Sequence, residues 1–218
     1  MKKMLLSSRA FINSTITKSF LSLLDPIDYQ HDQLVIITNS VREGKSHPKM
    51  IGLQKIIQNL GFNNVILFDA FHDAPEILKT AKAIILNGGY EFLLLDNLRQ
   101  SGTLNLLQHL ISSGKPVYGI SAGAIVLGPD LALFMKLYPE DNFNHDIDTN
   151  AIDATNIRIY PHYDKHIQDN PQLENSIKAF ESNTKATITR LRNDQVCFDK
   201  RWPVSINLDG RSYRYPDR

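Results

Sequence analysis

Val117-Tyr118-Gly119-Ile120-Ser121-Ala122-Gly123-Ala124 begins as a β-branched and aromatic apolar run and ends in a string of small residues. Its centre, Gly119 to Gly123, matches G-x-S-x-G. A predicted strand over 117–120 precedes the match and helical character over 123–131 follows it, the context that a nucleophile elbow requires. On so tight a strand-to-helix turn, a serine is forced into a strained backbone conformation and its hydroxyl projects from the carboxyl edge of the sheet. The flanking positions must be small, because a side chain there would collide with the turning backbone. The Ala122 N–H and the N-terminus of the emerging helix would then point at a developing oxyanion. With 11 Gly and 15 Ser in 218 positions, a random chain would show this pattern roughly 0.04 times.

Working outward, apolar runs and helical periods trade places about five times. Residues 3–6, 34–38, 65–68 and 83–86 read as strands, the second as β-branched and continuous as a strand buried on both faces should be. Residues 12–24, 48–60, 75–80, 92–100 and 103–113 read as helices, with Pro26 stopping the first and Gly61 closing the second. This alternation predicts an α/β fold with a mainly parallel sheet covered by helices on both faces. After about residue 133 the pattern is less regular, with strands expected over 157–160, 186–191 and 196–198 and a helix over 173–180. One domain spanning 1–218 is the economical expectation.

Composition narrows the function classes. The 24 basic residues nearly cancel the 23 acidic ones, which argues against a grip on phosphate backbones. Met1-Lys2-Lys3-Met4-Leu5-Leu6 opens like a signal peptide, but Ser7, Ser8 and Arg9 interrupt the apolar run well short of the roughly 7–15 residues required. With Cys197 the lone cysteine, no internal disulfide can form and a cytoplasmic location is expected. No nucleic-acid or membrane partner is expected.

A nucleophilic serine needs a base. Of seven histidines, His162 stands at the end of a predicted strand after Pro161, a plausible sheet edge. His162 and His166 are four apart, but no partnering carboxylate motif supports a metal pair, and neither metal nor cofactor is expected. For the acid that orients the histidine, Asp194 is the first choice and Asp130 the alternative; Asp164 reads as too close in sequence to bridge back. Asn87-Gly88-Gly89 follows another strand, where ligand chemistry collects in a parallel sheet. Gly88 or Gly89 can there supply a second oxyanion donor beside Ala122.

Asn87-Gly88-Gly89, the Gly119–Ala124 block with Gly128-Pro129-Asp130, and Tyr160-Pro161-His162-Tyr163 together resemble the peptidase E (aspartyl dipeptidase) family of serine peptidases, over about residues 1–200. The resemblance implies a flavodoxin-like three-layer α/β/α sandwich of the class I glutamine amidotransferase type. It implies Ser121 as nucleophile, His162 as base and an oxyanion hole from Gly89 and Ala122. The implied activity is removal of an N-terminal aspartate from a short peptide. Two positions depart from the family pattern. Gly-Gly-Asn-Thr is replaced by Gly88-Gly89-Tyr90-Glu91, so Tyr90 and Glu91 enter the list of substrate-binding candidates and an inward Glu91 would repel an acidic substrate. The orienting position can also fall on Asn193 instead of Asp194.

The expected function is therefore a serine exopeptidase acting on short peptides, with a homodimer allowed for. One alternative is an esterase using the same elbow, whose acid would precede the histidine at Asp146, Asp148 or Asp153. The other is a non-catalytic, ligand-binding protein on an amidotransferase-like scaffold.

Overall fold

The computed structural model describes residues 3–145, 147–199, 205–208 and 211–214. Five parallel strands form the heart of the sheet: β1 (Met4–Ser7), β2 (Gln33–Ile37), β3 (Asn64–Phe68), β4 (Ala83–Leu86) and β5 (Val117–Ile120), in the order β1-β5-β4-β2-β3. Residues 34–37 have no exposed surface at all, as their unbroken β-branched and leucine content requires of a central parallel strand.

Side chains alternate between two apolar cores, one on each face of the sheet. Leu5, Leu34, Ile36, Ile85, Tyr118 and Ile120 point into one core, with Phe20 and Leu24 of α1 (Ser14–Leu24) and Met50, Leu53 and Ile57 of α2 (Pro48–Asn59). Met4, Leu6, Val35, Ile37, Ile84 and Leu86 point into the other. That second core is closed by α3 (Glu76–Thr80), α4 (Glu91–Gln100), α5 (Thr103–Ser112) and α6 (Ala122–Val126), and beyond them by α7 (Ala132–Leu137). Helices on both faces of one mainly parallel sheet make three layers, the architecture expected from the alternation.

The C-terminal third departs from a simple continuation. β6 (Arg158–Tyr160) does not join the main sheet. With α8 (Tyr163–Asp169) and α9 (Leu173–Thr184) between them, it pairs in parallel with β7 (Ile188–Arg190) as a separate two-stranded ribbon. β8 (Val196–Asp199) then returns antiparallel beside β1, followed by β9 (Ser205–Leu208) and β10 (Arg211–Arg214). Helical character predicted to 131 stops at Val126: Gly128 and Pro129 break it, and the helix resumes at Ala132. The first helix starts at Ser14, two residues later than its apolar period, because Asn13 caps it by accepting the Ile16 N–H at 2.8 Å.

Candidate active site

The carboxyl ends of β1, β5 and β4 lie side by side, and all three contribute to one cleft. Ser121, directly after β5, has φ 50° and ψ −116°, a conformation that costs a non-glycine residue on the order of 1–3 kcal/mol. The turn is held by sterics: a Cβ on Gly123 would sit 2.0 Å from the Leu86 carbonyl oxygen of β4, so only glycine lets α6 start this close to the sheet. The same holds at Gly89, where a Cβ would meet the Ser40 carbonyl oxygen at 2.3 Å.

The Ser121 hydroxyl donates to His162 Nε2 at 2.9 Å. His162 caps the start of α8 in the left-handed region, φ 56°. Its Nδ1 lies 2.7 Å from Asn193 Oδ1, and Asn193 donates both its backbone N–H and its amide N–H to Asp164 Oδ1, each at 3.0 Å. The Asp164 bond decides which way the amide points, since a carboxylate can only accept. Asn193 therefore presents oxygen to the imidazole, the Nδ1 carries the proton, and Nε2 is left with a lone pair toward the serine. That is the tautomer a base needs.

The orienting position is thus occupied by Asn193, and Asp194 is not brought to the imidazole. Asp194 points outward and pairs with Arg192 at 3.3 Å. The alternative acid, Asp130, is taken by Arg158 at 2.5 Å. In the turn before β8 consecutive residues face opposite ways, so a one-position difference exchanges a contact at the site for one at the surface. Asp164, set aside as too near His162, reaches the site through Asn193: α8 folds it back beneath the 191–193 turn. Of the acids the esterase alternative would need, Asp148 pairs with Arg99 at 3.1 Å and Asp146 lies outside the described residues.

Two residues with no motif of their own complete the frame. The Ser7 carbonyl accepts the Ser121 N–H at 2.8 Å. The Ser8 hydroxyl accepts the His162 N–H at 3.0 Å and donates to the Leu191 carbonyl at 2.8 Å. The end of β1 thereby ties the turn at Ser121 to His162 and to the segment leading to Asn193. The available signal was a pair of serines closing a wholly buried strand.

Among backbone donors, Gly88 N–H is spent on Asn87 Oδ1 at 2.8 Å and Tyr90 N–H on the Ser40 carbonyl at 2.8 Å. Gly89 and Ala122 N–H make no hydrogen bond to another described residue. This separates the two glycines: Gly89 has a free donor and Gly88 does not.

Tyr90 and Glu91 part company. Tyr90 is 46% exposed and packs edge-on against Phe143 at 5.6 Å. Glu91, the first residue of α4, is 9% exposed and lines the hollow beside Ser121. Burial, and the charge of Asp141, push its carboxyl up to about 7. Tyr160 is also raised, by burial and then by its hydrogen bond with Tyr138. His166 shares a 2.9 Å hydrogen bond with the Tyr160 hydroxyl and is lowered by burial and by neighbouring His162. Among the described residues no three His, Cys, Asp or Glu side chains converge as a metal site, and no helix is long and apolar enough to cross a membrane.

Comparison with known proteins bears on this geometry. The family model "Peptidase family S51" matches residues 50–199. A peptidase E of a Nostoc species is 28% identical over 114 residues, 51% of this chain and 44% of that protein. An uncharacterized peptidase of Listeria innocua is 27% identical over 113 residues, 50% of this chain and 54% of that one. The chain thus spans about half the length of these curated relatives. A crystal structure from Listeria monocytogenes, assigned provisionally to peptidase E, superposes with a TM-score of 0.75 at 22% identity, covering 95% of this chain and 98% of that one. The likeness to that structure is one of fold.

Proposed function

Because this chain belongs to peptidase family S51, we propose that it is a serine exopeptidase that cleaves short peptides through an acyl-enzyme at Ser121. The observation that carries the proposal is the 2.9 Å hydrogen bond from the strained Ser121 to an imidazole whose far nitrogen is held by Asn193. His162 Nε2 takes the hydroxyl proton as Ser121 Oγ attacks the scissile carbonyl. The free N–H groups of Gly89 and Ala122 receive the oxyanion. The imidazolium then protonates the leaving amine, and water, deprotonated in turn by His162, releases the acyl group.

Asn193 carries no charge to balance the imidazolium. Its part is to fix tautomer and ring orientation, and Asp164 supplies the negative charge one residue further out. The peptide must be small, because the nucleophile sits in a cleft whose hollows are on the order of 400 Å³ each.

The test pairs a fluorophosphonate probe with a dipeptide panel. The expected result is labelling and turnover in the native protein and loss of both in Ser121→Ala with the fold intact. Turnover that survives the substitution would overturn the mechanism. An unlabelled serine with no turnover would replace it with ligand binding on the same scaffold.

A further inference from the structure

Two hollows meet at the Ser121–His162 pair, sharing Gly89, Ser121 and His162, and they are lined with opposite charge. One carries Glu91, Asp141 and Asp169 with the rings of Phe134, Tyr138 and Tyr160, and no Lys or Arg among the described residues. The other carries Arg9 and Lys49 and no acidic residue among those described. Glu91 is the informative group. Glu91 is nine-tenths buried as a residue, it borders the cleft, and among the described residues the hydrogen bond its carboxyl makes is with its own backbone N–H. A buried carboxylate without a cation is costly, and carboxylates set among aromatic rings are the lining that suits an organic cation.

We propose that the acidic arm receives an ammonium or guanidinium on the acyl side of the scissile bond, so that preferred peptides present a cation there and aspartyl peptides are disfavoured. This rests on the peptidase reading of the same cleft. The polarity follows from the substrate: a short peptide has its ammonium at the acyl end and its carboxylate at the leaving end, matching the acidic and basic arms respectively. The cation is either the α-ammonium or a basic side chain, and both present the same chemistry to Glu91. A β-carboxylate in the same arm would face Glu91, Asp141 and Asp169 with no Lys or Arg among the described lining to pair with, His162 and His166 being the basic groups there.

The experiment measures calorimetric binding of Lys-Ala, Ala-Ala, Asp-Ala and N-acetyl-Lys-Ala to the Ser121→Ala protein at pH 8, alongside turnover by the native enzyme. Lys-Ala should bind at least about tenfold more tightly than Asp-Ala, and adding Glu91→Gln should remove that preference. Asp141→Asn, at a more exposed site, should weaken it severalfold and stands in should the Glu91 variant fail to fold. Retained binding of N-acetyl-Lys-Ala assigns the cation to the side chain. Its loss, with Ala-Ala weakened by Glu91→Gln, assigns it to the α-ammonium. Asp-Ala binding as tightly as Lys-Ala, no peptide binding, or indifference to both substitutions would overturn the proposal. If the Glu91-dependent preference holds but the native protein cleaves nothing, hydrolysis falls and the cation arm stands. If the native enzyme cleaves Asp-Ala faster than Lys-Ala, the reverse is true.

Discussion

Ser121 and His162 come from regions built by different physics. Residues 117–126 are held by exclusion: the turn exists because Gly123 has no Cβ to collide with Leu86 of β4 and Gly119 none to collide with Ala124 and Leu127. Residues 158–194 are held by attachment. His162 is positioned by Ser8 and Asn193, Asn193 by Asp164, and the strand leading to it by Arg190, which is clamped between Glu174 at 3.1 Å and Glu181 at 2.5 Å. The first kind of constraint has few chemical solutions, so it leaves a motif. The second has many, because any donor of about the right reach will serve.

That contrast ranks the consequences of substitution. Ser121→Ala should cost on the order of 10⁴-fold or more in kcat with little change in thermal unfolding. Within the same region, Gly123→Ala places a methyl against the Leu86 carbonyl. It should destabilise the protein by about 3 kcal/mol, a fall of about 10 °C in Tm by calorimetry; an unchanged Tm would show that the turn is not held by exclusion.

Glu91, on the helix that follows the Gly88-Gly89 turn, gives a pH signature. Its folded carboxyl keeps a proton up to about 7 whereas the unfolded one loses it near the ordinary value of 4.5. The folded state therefore binds more protons between those values, and stability falls as pH rises from about 4.5 to about 7, where the cost is complete. Glu91→Gln removes that cost. Its stability advantage over the native protein should be near zero at pH 4.5 and grow to at most about 3 kcal/mol at pH 8, read from denaturant titrations at both pH values. An advantage equal at the two would mean that the carboxyl does not titrate in that window.

In the attached region effects should be smaller and graded. Asn193→Ala leaves His162 free to take either tautomer and should lower kcat by about 10²-fold. Asp164→Ala, one bond further out, should lower it by about tenfold, with Asn193→Asp recovering activity lost through the missing charge. Equal losses at Asn193 and Asp164 would show that the two act as one rigid unit and not as successive supports.

The fold was legible almost to its edges, because burial on both faces leaves unbroken apolar strands such as 34–37 and helices leave their own period. What escaped was pairing after residue 157. Strands 158–160 and 188–190 are short and apolar enough to be recognised, yet nothing local says that they pair with each other and leave the sheet, or that 196–199 turns back against the first strand. At the site, Ser121 and His162 stood out, and so did the choice between Asn193 and Asp194. Asp164 and the Ser7-Ser8 pair did not: their importance lies in what they touch 29 to 183 positions away.

Taken alone, the order of residues determined the layered α/β architecture and the bend that carries the hydroxyl, since both are enforced by the size and polarity of near neighbours. Only the tertiary structure decided which side chain faces the imidazole, which glycine keeps an N–H unused by the described residues, and that a carboxyl lies buried beside Ser121. Those outcomes depend on angles and distances between segments far apart in the chain, where a shift of one residue exchanges the interior for solvent.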